Sequence, residues 1–438
     1  MNTRITNCYL LTMCAQDSVL ADPHAPLADP IPDGEVHIMG SHITYAGSAE
    51  DAPKALEGGF DREIDAQGNL LMPGFKDAHT HSAMTFLRSY ADDLPLADWL
   101  NKQVFPMEAK LTPDDVYWCS RLAILEYLTS GITANFDMYM KNDANAAASI
   151  DSGFRTVLCG SINNFGGTVE DMEMEYQHFN ALDPLISYQF GFHAEYTTSR
   201  EILEGMAALS HKYHAPVYTH NSETKAEVQG CIDRYGMTPT TFLDSIGMFD
   251  YGGGGFHCVH MTPQDLEVFL DKDLFVITNP ASNIKLASGI APLTQMHEMG
   301  IRLAIGTDGP ASNNCLDMFR EMFLTTALQK VSLEDAAAMD AHLVLHMATA
   351  GGAMAMQLPD CDVIAPGKKA DLILIDLNQP NMQPLNHITK NLVYSGSKQN
   401  IKMTMVDGEI LYQDGKFFVG VPAEEIYAKA NESIQRMK

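Results

Sequence analysis

The apolar positions in the middle of the chain form short runs that alternate with stretches of helical spacing. Eight such runs, each ending in polar residues, cover 70–75, 132–137, 156–161, 186–193, 217–220, 255–257, 275–279 and 303–308. Helical spacing is clear at 199–213, 263–270 and 317–328, and Ser199 can cap the first of these helices. Eight strand–helix alternations predict an α/β fold of the (β/α)8, TIM-like barrel type. A doubly wound sheet is the rival, but no Gly-x-Gly-x-x-Gly turn follows the first strand.

Both ends of the chain are rich in short β-strand patterns. Predicted strands cover 5–13, 35–39 and 42–46 near the start, and 371–376, 403–406 and 410–412 near the end. Asp407-Gly408 is a strong hairpin turn between the last two. We therefore predict that the two ends form one small discontinuous β-sandwich, with residues 1–71 and 365–438 flanking a barrel of residues 72–364.

The net charge of the chain and its cysteines limit the classes of binding partner and the compartment that we expect. The chain has 28 Lys and Arg against 56 Asp and Glu, a net charge of -28, which disfavours binding to nucleic acid or an anionic membrane. Its eight cysteines include no Cys-x-x-Cys pair and predict reduced thiols in the cytoplasm. No apolar run approaches the ~20 residues of a membrane span. These features favour a small-molecule substrate and leave a homo-oligomer open.

Histidines and carboxylates follow the predicted barrel strands. His79 and His81 are two residues apart, so an extended backbone directs both to one face, where imidazoles suit a transition metal. Other strands lead to the residues His193, His220, Glu223, His257 and Asp308. Active sites of such barrels are built at the carboxyl ends of the strands. The pattern predicts a metal-containing active site.

Four segments resemble the signature motifs of the amidohydrolase superfamily. They are Asp77-Ala78-His79-Thr80-His81, His220-Asn221-Ser222-Glu223, His257-Cys258-Val259-His260 and Gly306-Thr307-Asp308-Gly309. Residues 84–108, 279–286 and 308–314 are similar to the 5-methylthioadenosine/S-adenosylhomocysteine deaminases and the related triazine hydrolases of that superfamily. The resemblance covers essentially the whole chain.

The resemblance implies that His79, His81, His220 and Asp308 bind the metal. Three imidazoles and one carboxylate leave room for water, as an open catalytic site requires. Zinc is favoured, and Fe2+ fits the same ligands. Some superfamily members bridge two metals with a carboxylated lysine on the fourth strand, but no lysine lies between Lys141 and Lys212. We therefore expect one divalent metal per chain.

The resemblance also assigns roles around the metal. Glu223 is expected to shuttle protons and His257 to polarise the attacking water beside Asp308. The alternative for Glu223 is a carboxylate at a helix start. His193 is expected to contact the substrate ring, Glu108 the ribose hydroxyls, Ser312 the purine near N7, and Trp99 the pocket entrance. For Glu108 the alternative is an exposed helix-start residue. Cys258 and His260 are interpreted as packing residues.

One departure concerns the substrate tail. In the resembled deaminases, arginines after the third strand hold the carboxylate of S-adenosylhomocysteine, whereas Gly160 takes that position here and 161–170 contains no Arg or Lys. We therefore expect hydrolytic deamination of methylthioadenosine, 5′-deoxyadenosine or adenosine to an inosine derivative and ammonia, with S-adenosylhomocysteine ranked below. The alternatives are an amidohydrolase of another N-heterocycle (triazine, pterin or free purine base) and a non-catalytic scaffold.

Overall fold

The computed structural model describes residues 1–54, 59–90, 92–94 and 96–438. Residues 55–58 of the predicted first segment, and 91 and 95 within the segment 84–108, lie outside the described residues. The strands, in chain order, are β1 Asn2–Leu10, β2 Ile31–Met39, β3 His42–Ser48, β4 Arg62–Asp65, β5 Leu70–Pro73, β6 Phe75–Thr80, β7 Ile132–Met138, β8 Arg155–Cys159, β9 Ile186–Ala194, β10 Val217–Asn221, β11 Gly253–His257, β12 Phe275–Thr278, β13 Arg302–Ile305, β14 Leu372–Ile375, β15 Ile401–Val406, β16 Glu409–Gln413 and β17 Lys416–Phe417.

The α-helices, numbered in the same way, are α1 Leu96–Trp99, α2 Phe105–Glu108, α3 Pro113–Thr129, α4 Asn142–Ser152, α5 Val169–Phe179, α6 Arg200–Tyr213, α7 Lys225–Tyr235, α8 Pro239–Ser245, α9 Pro263–Asp271, α10 Pro280–Lys285, α11 Leu293–Met299, α12 Met318–Leu333, α13 Ala341–His346, α14 Gly352–Ala355, α15 Ile388–Tyr394 and α16 Ala423–Met437. Short 3-10 or π turns cover Ser82–Leu87, Leu100–Val104, Glu195–Thr197, Met347–Gly351, Pro359–Cys361, Pro380–Met382 and Lys398–Asn400. No helix among the described residues is long and apolar enough to cross a membrane.

Strands β6 to β13 form the predicted barrel. Each strand pairs in parallel with the next one along the chain. The last strand returns beside the first, where the Asp308 backbone N–H donates to His79 O at 2.9 Å. Helices between the strands start where the sequence predicts, and the Ser199 side chain accepts a hydrogen bond from Ile202 N at the start of α6. The (β/α)8 prediction is confirmed.

The first barrel strand begins later than the sequence pattern indicates. The apolar run 70–75 is divided at Gly74: β5 belongs to the terminal sheet and only β6 to the barrel. A Cβ atom at Gly74 would lie 2.1 Å from Thr133 Cγ2, so the chain can cross from one sheet to the other only at a glycine. Because β6 extends to Thr80, His79 lies within the strand and His81 directly after it.

Both chain ends build one mixed sheet, in the order β17-β16-β15-β14-β5-β1-β2-β3, with β4 also paired to β1. This confirms the predicted discontinuous β-rich part. One apolar cluster joins residues of both ends, including Ile5, Val36, Leu372 and Met403. The last helix, α16, packs instead on α3 beside the barrel.

A buried ion pair fastens this sheet to the barrel. Arg155, at the start of β8, donates from Nε to Asp371 Oδ2 at 2.7 Å and from Nη2 to Asp371 Oδ1 at 3.1 Å. Asp371 immediately precedes β14 of the terminal sheet, and its side chain has no exposed surface. Arg155 Nη2 also donates to Asp407 at 3.1 Å. The contact therefore joins three segments that are distant in sequence.

Candidate metal centre and active site

Three histidines converge at the carboxyl end of the barrel. One ring nitrogen from each of His79, His81 and His220 lies within 4.8 Å of the others. The carboxylate of Asp308, three residues beyond β13, faces them, with Oδ1 3.3 Å from His81 Nε2 and 3.8 Å from His79 Nε2. The structure thus brings together the four predicted metal ligands.

The second ring nitrogen of two histidines is occupied by the backbone. His81 Nδ1 lies 2.5 Å from Met138 O, and His220 Nδ1 lies 2.6 Å from His193 O. Since a carbonyl only accepts, Nδ1 carries the proton in each ring and Nε2 keeps a lone pair directed at the centre. This is the arrangement by which proteins orient metal-binding imidazoles.

His79 provides the test of whether a metal fits. Its ring is fully buried and stacked on Phe256, with ring centroids 3.7 Å apart, and neither ring nitrogen has a hydrogen-bond partner in the described structure. A buried, unpaired imidazole is costly unless it has a ligand. Burial also holds the pKa of His79 and of His220 well below the usual range, so both rings are neutral. Three ring nitrogens and one carboxylate fit a divalent transition metal.

Asp308 is held ionised and in one orientation. Ser282 Oγ and Ser312 Oγ donate to its Oδ2 at 2.5 and 2.9 Å, and Gly309 N donates to Oδ1 at 2.6 Å. Burial raises the pKa of Asp308, but the histidines around it, His81 first among them, outweigh burial and hold that pKa well below its usual range. An ionised carboxylate beside the imidazoles can serve both as a ligand and as an acceptor for a water proton.

Glu223 and His257 face the same space. Glu223 Oε2 and Asp308 Oδ2 each lie 4.0 Å from His257 Nε2. His257 Nδ1 lies 2.7 Å from Asn283 Oδ1, which assigns the proton to Nδ1 and leaves Nε2 as an acceptor. Ser288 Oγ donates to Glu223 Oε1 at 2.9 Å. Glu223 lines the cavity, and the cap of α7 is its neighbour Thr224, so the helix-start alternative does not describe where the carboxylate points.

The predicted substrate-binding residues line one cavity above the centre. Trp99, Glu108, His193 and Ser312 are all among its walls. Tyr139 Oη donates to Glu108 Oε1 at 2.8 Å, and burial raises the pKa of Glu108 to about 7. Among the described residues the other carboxylate oxygen has no hydrogen-bond donor and can accept from a ligand, so Glu108 is not the exposed helix-start residue of the alternative interpretation.

Two further positions, Ser312 and Gly160, differ from what the sequence predicts. Ser312 donates its hydroxyl to Asp308, so in this structure it serves the carboxylate, and its contact with purine N7 stays a prediction. Position 160 cannot carry a side chain, because a Cβ there would lie 2.7 Å from Gly191 O and 2.8 Å from Tyr188 Oη. The residues of this loop that line the cavity are Ser161 and Asn163, and not Gly160.

The cavity contains no Lys or Arg among the described residues that line it. Arg155 and Arg88 are two arginines that could supply a cation for a substrate carboxylate, but each is paired with a carboxylate of the protein. Arg155 is paired with Asp371 at the other end of β8, and Arg88 donates to Glu126 at 2.5 Å. That a substrate carboxylate finds no cationic partner stays a prediction, and the missing side chain of Gly160 is not its reason, since no side chain fits there.

Sequence reasoning missed four polar residues that support the site: Tyr139, Ser282, Asn283 and Ser288. Ser282 and Asn283 fall in the segment 279–286 that carries the deaminase resemblance, so a signal for them was present. Ser288 and Tyr139 belong to no motif, and only the fold brings them to Glu223 and Glu108. Of the two residues interpreted as packing, Cys258 is fully buried in the core, as expected.

Comparison with known proteins decides the family. A family model described as the amidohydrolase family matches residues 70–411. The chain belongs to the amidohydrolase family. This amidohydrolase is 36% identical to the 5-methylthioadenosine/S-adenosylhomocysteine deaminase of Pelotomaculum thermopropionicum over 441 residues, which cover 100% of this chain and 99% of that protein. The resemblance found in the motifs and the predicted class, a metal-dependent hydrolase acting on carbon–nitrogen bonds, are confirmed.

Solved structures give the same fold. An adenosine deaminase from Xanthomonas campestris with bound zinc matches this amidohydrolase with a TM-score of 0.90 at 31% identity, over 99% of this chain and 98% of that one. Atrazine chlorohydrolase from Arthrobacter aurescens, complexed with zinc, matches with a TM-score of 0.88 at 21% identity, over 99% and 100% of the two chains. The second likeness shows the fold alone.

Proposed function

We propose that this amidohydrolase deaminates an adenosine derivative with a small, uncharged 5′ group, giving the inosine derivative and ammonia. Methylthioadenosine, 5′-deoxyadenosine and adenosine are the candidate substrates, ranked above S-adenosylhomocysteine. We place the enzyme in the cytoplasm with one divalent metal per chain, zinc, bound by His79, His81, His220 and Asp308. When bound, the ion would act as a Lewis acid that lowers the pKa of a water molecule.

The side chains of this chain provide the proton transfers. Asp308 Oδ2 and His257 Nε2 are 4.0 Å apart, so one water between them can donate to both and present a lone pair to C6 of the purine. The water oxygen bonds to C6 while Glu223 passes a proton to N1. The C6–N6 bond then breaks. The two water protons finally reside on N1 of the product and on the departing ammonia, and Glu223 returns to its starting state.

The ribose and the base are held by the cavity walls. Glu108 accepts from Tyr139 at one oxygen, and no described residue donates to the other; a carboxylate can accept from both hydroxyls of a vicinal diol. His193 lies in the wall with its Nδ1 2.9 Å from Thr197 Oγ1, which leaves Nε2 for the purine ring. Trp99 supplies an apolar surface at the entrance. Such remote contacts fix the reacting carbon over the water.

The observation that carries the substrate proposal is the composition of the cavity wall. One carboxylate is placed for a diol, and the described lining residues include neither Lys nor Arg. A substrate carboxylate would lose its hydration without gaining a cationic partner, which disfavours S-adenosylhomocysteine. The relative from Pelotomaculum thermopropionicum carries both substrates in its name, so the wall residues, not the family, separate them.

Ammonia release from a panel of compounds tests the proposal. The panel contains methylthioadenosine, 5′-deoxyadenosine, adenosine, S-adenosylhomocysteine, adenine and a triazine, each with zinc-loaded enzyme. We expect kcat/KM to be highest for the uncharged nucleosides. Faster turnover of adenine or of the triazine would favour the alternative of another N-heterocycle. Turnover of S-adenosylhomocysteine equal to that of methylthioadenosine would refute the argument from the cavity wall.

A further inference from the structure

A single segment, 282–288, contacts each of the three groups that the proposed mechanism uses for proton transfer. Ser282 donates to Asp308, Asn283 accepts from His257, and Ser288 donates to Glu223. The three hydrogen bonds measure 2.5, 2.7 and 2.9 Å. The segment begins within α10 and continues into the following loop, so one piece of backbone sets the relative positions of three side chains from three different strands.

Ser288 is itself held on both sides. Its backbone N–H donates to Asn283 O at 2.8 Å, and its carbonyl lies 2.7 Å from His260 Nε2, which therefore carries a proton. The next residue, Gly289, has φ +133°, and a Cβ there would lie 2.8 Å from Val259 Cγ1. The glycine thus permits the close approach of the Val259 and His260 side chains to this loop. Ser288 is 7% exposed.

We propose that Ser288 is a positioning residue for Glu223, and that His260 acts through Ser288. This inference rests on the proposed function. A carboxyl group that passes a proton to a substrate nitrogen must keep one oxygen aimed at that nitrogen. The Ser288 hydroxyl occupies Oε1 and leaves Oε2 on the side of His257, where the purine and the water meet. The proposal gives His260, interpreted from the sequence as a packing residue, a role through its hydrogen bond to Ser288 O.

The geometry predicts a loss of turnover without a loss of binding. With Ser288→Ala the Glu223 carboxylate can rotate, and a misplaced reacting group costs between about 10- and 100-fold in rate. We expect kcat to fall by that factor, with KM within about 2-fold of the wild type and metal content unchanged. Ser288→Thr keeps the hydroxyl and should restore most of kcat. Ser210→Ala is the matched control, because Ser210 is fully buried and donates to Ala215 O at 2.7 Å, away from the cavity.

A double-mutant cycle separates positioning from a general effect on structure. If Ser288 acts only by orienting Glu223, Ser288→Ala should cost nothing further in a Glu223→Gln background. A further loss of the same factor in that background would overturn the proposal, and so would an unchanged kcat in folded, metal-loaded Ser288→Ala. Comparing unfolding midpoints with Ser210→Ala shows whether stability alone accounts for a loss.

His260 is tested by the same readouts. His260→Leu removes the donor to Ser288 O and should lower kcat in the same direction as Ser288→Ala, whereas His260→Gln retains a side-chain donor and should recover part of the loss. His211→Leu is the control, because His211 Nε2 lies 3.2 Å from Gly247 O on the surface. Turnover of methylthioadenosine, 5′-deoxyadenosine or adenosine by the wild type tests the proposed function independently. An unchanged kcat in His260→Leu would then refute only the role of His260.

Discussion

Replacing Arg155 by methionine removes the partner of a carboxylate that has no contact with water. The Asp371 side chain is fully buried and accepts two hydrogen bonds from Arg155, at 2.7 and 3.1 Å. After the replacement, one buried charge is left without its partner. Breaking such a pair from one side costs about 3–5 kcal/mol of stability. We therefore expect Arg155→Met to lower the free energy of unfolding by that amount at pH 7.

The pKa of Asp371 gives an independent magnitude. Burial raises this pKa, but the Arg155 guanidinium outweighs burial and lowers it to about 2, against 3.8 for a free aspartate. A difference of that size corresponds to about 2 kcal/mol of linked stability. Because the folded-state pKa is the lower one, this contribution is complete above about pH 4 and is lost as the pH falls toward 2.

Urea unfolding, followed by circular dichroism, measures both effects. Arg155→Met is compared with the wild type and with Arg155→Met/Asp371→Leu, in which the unpaired carboxylate is also removed and most of the loss should be recovered. The difference between the wild type and the double variant should shrink by about 2 kcal/mol between pH 4 and pH 2. Arg200→Met is the control, since Arg200 forms an exposed pair with Glu204 and should matter by less than ~1 kcal/mol. An Arg155→Met variant as stable as this control would refute the reasoning.

Three further predictions concern the site. Elemental analysis should find one divalent ion per chain, and His220→Ala should lose it together with activity; two ions per chain would contradict the single centre. Glu223→Gln should keep its metal but lose at least ~10²-fold in turnover, the usual scale for a missing acid–base group, and near-normal turnover would exclude Glu223 from the mechanism. Glu108→Ala should raise KM and lower kcat/KM for adenosine. It should change little for a 2′,3′-dideoxy analogue, because the substitution and the loss of the hydroxyls remove the same contact. Equal losses with both substrates would show that Glu108 does not bind the ribose.

The candidate metal ligands could be predicted because they lie on one face of a predicted strand or at the ends of predicted strands. His79 and His81 share one face of an extended segment, and His220 and Asp308 lie at or just beyond the ends of strands that the apolar pattern marks. Parallel strands bring such ends to one rim of the barrel. Residues that are 229 positions apart, such as His79 and Asp308, could therefore be placed together before the structure was known.

Other features depend on contacts that leave no local pattern. The division of the run 70–75 at Gly74 was missed because both halves are apolar, and only the approach of Thr133 shows where the sheets part. Ser288 was missed because a serine 65 positions from Glu223 has no motif of its own. Gly160 was given a role for its missing side chain, whereas the backbone of Gly191 explains why a glycine is needed there.

The crossing at Gly74 has a consequence for the order in which this protein can fold as it is synthesised. Strand β5, directly before the barrel strand that carries His79, pairs with β1 on one side and with β14 on the other. While the ribosome has not yet made residues 372–375, one edge of β5 therefore has no partner strand. Non-local pairing of this kind is slow, and an open strand edge recruits other chains. A nascent chain shortened before β14 would expose that edge at the amino end of the strand that carries His79, so we expect truncated chains to associate through β5, at the end of the barrel away from the candidate metal centre.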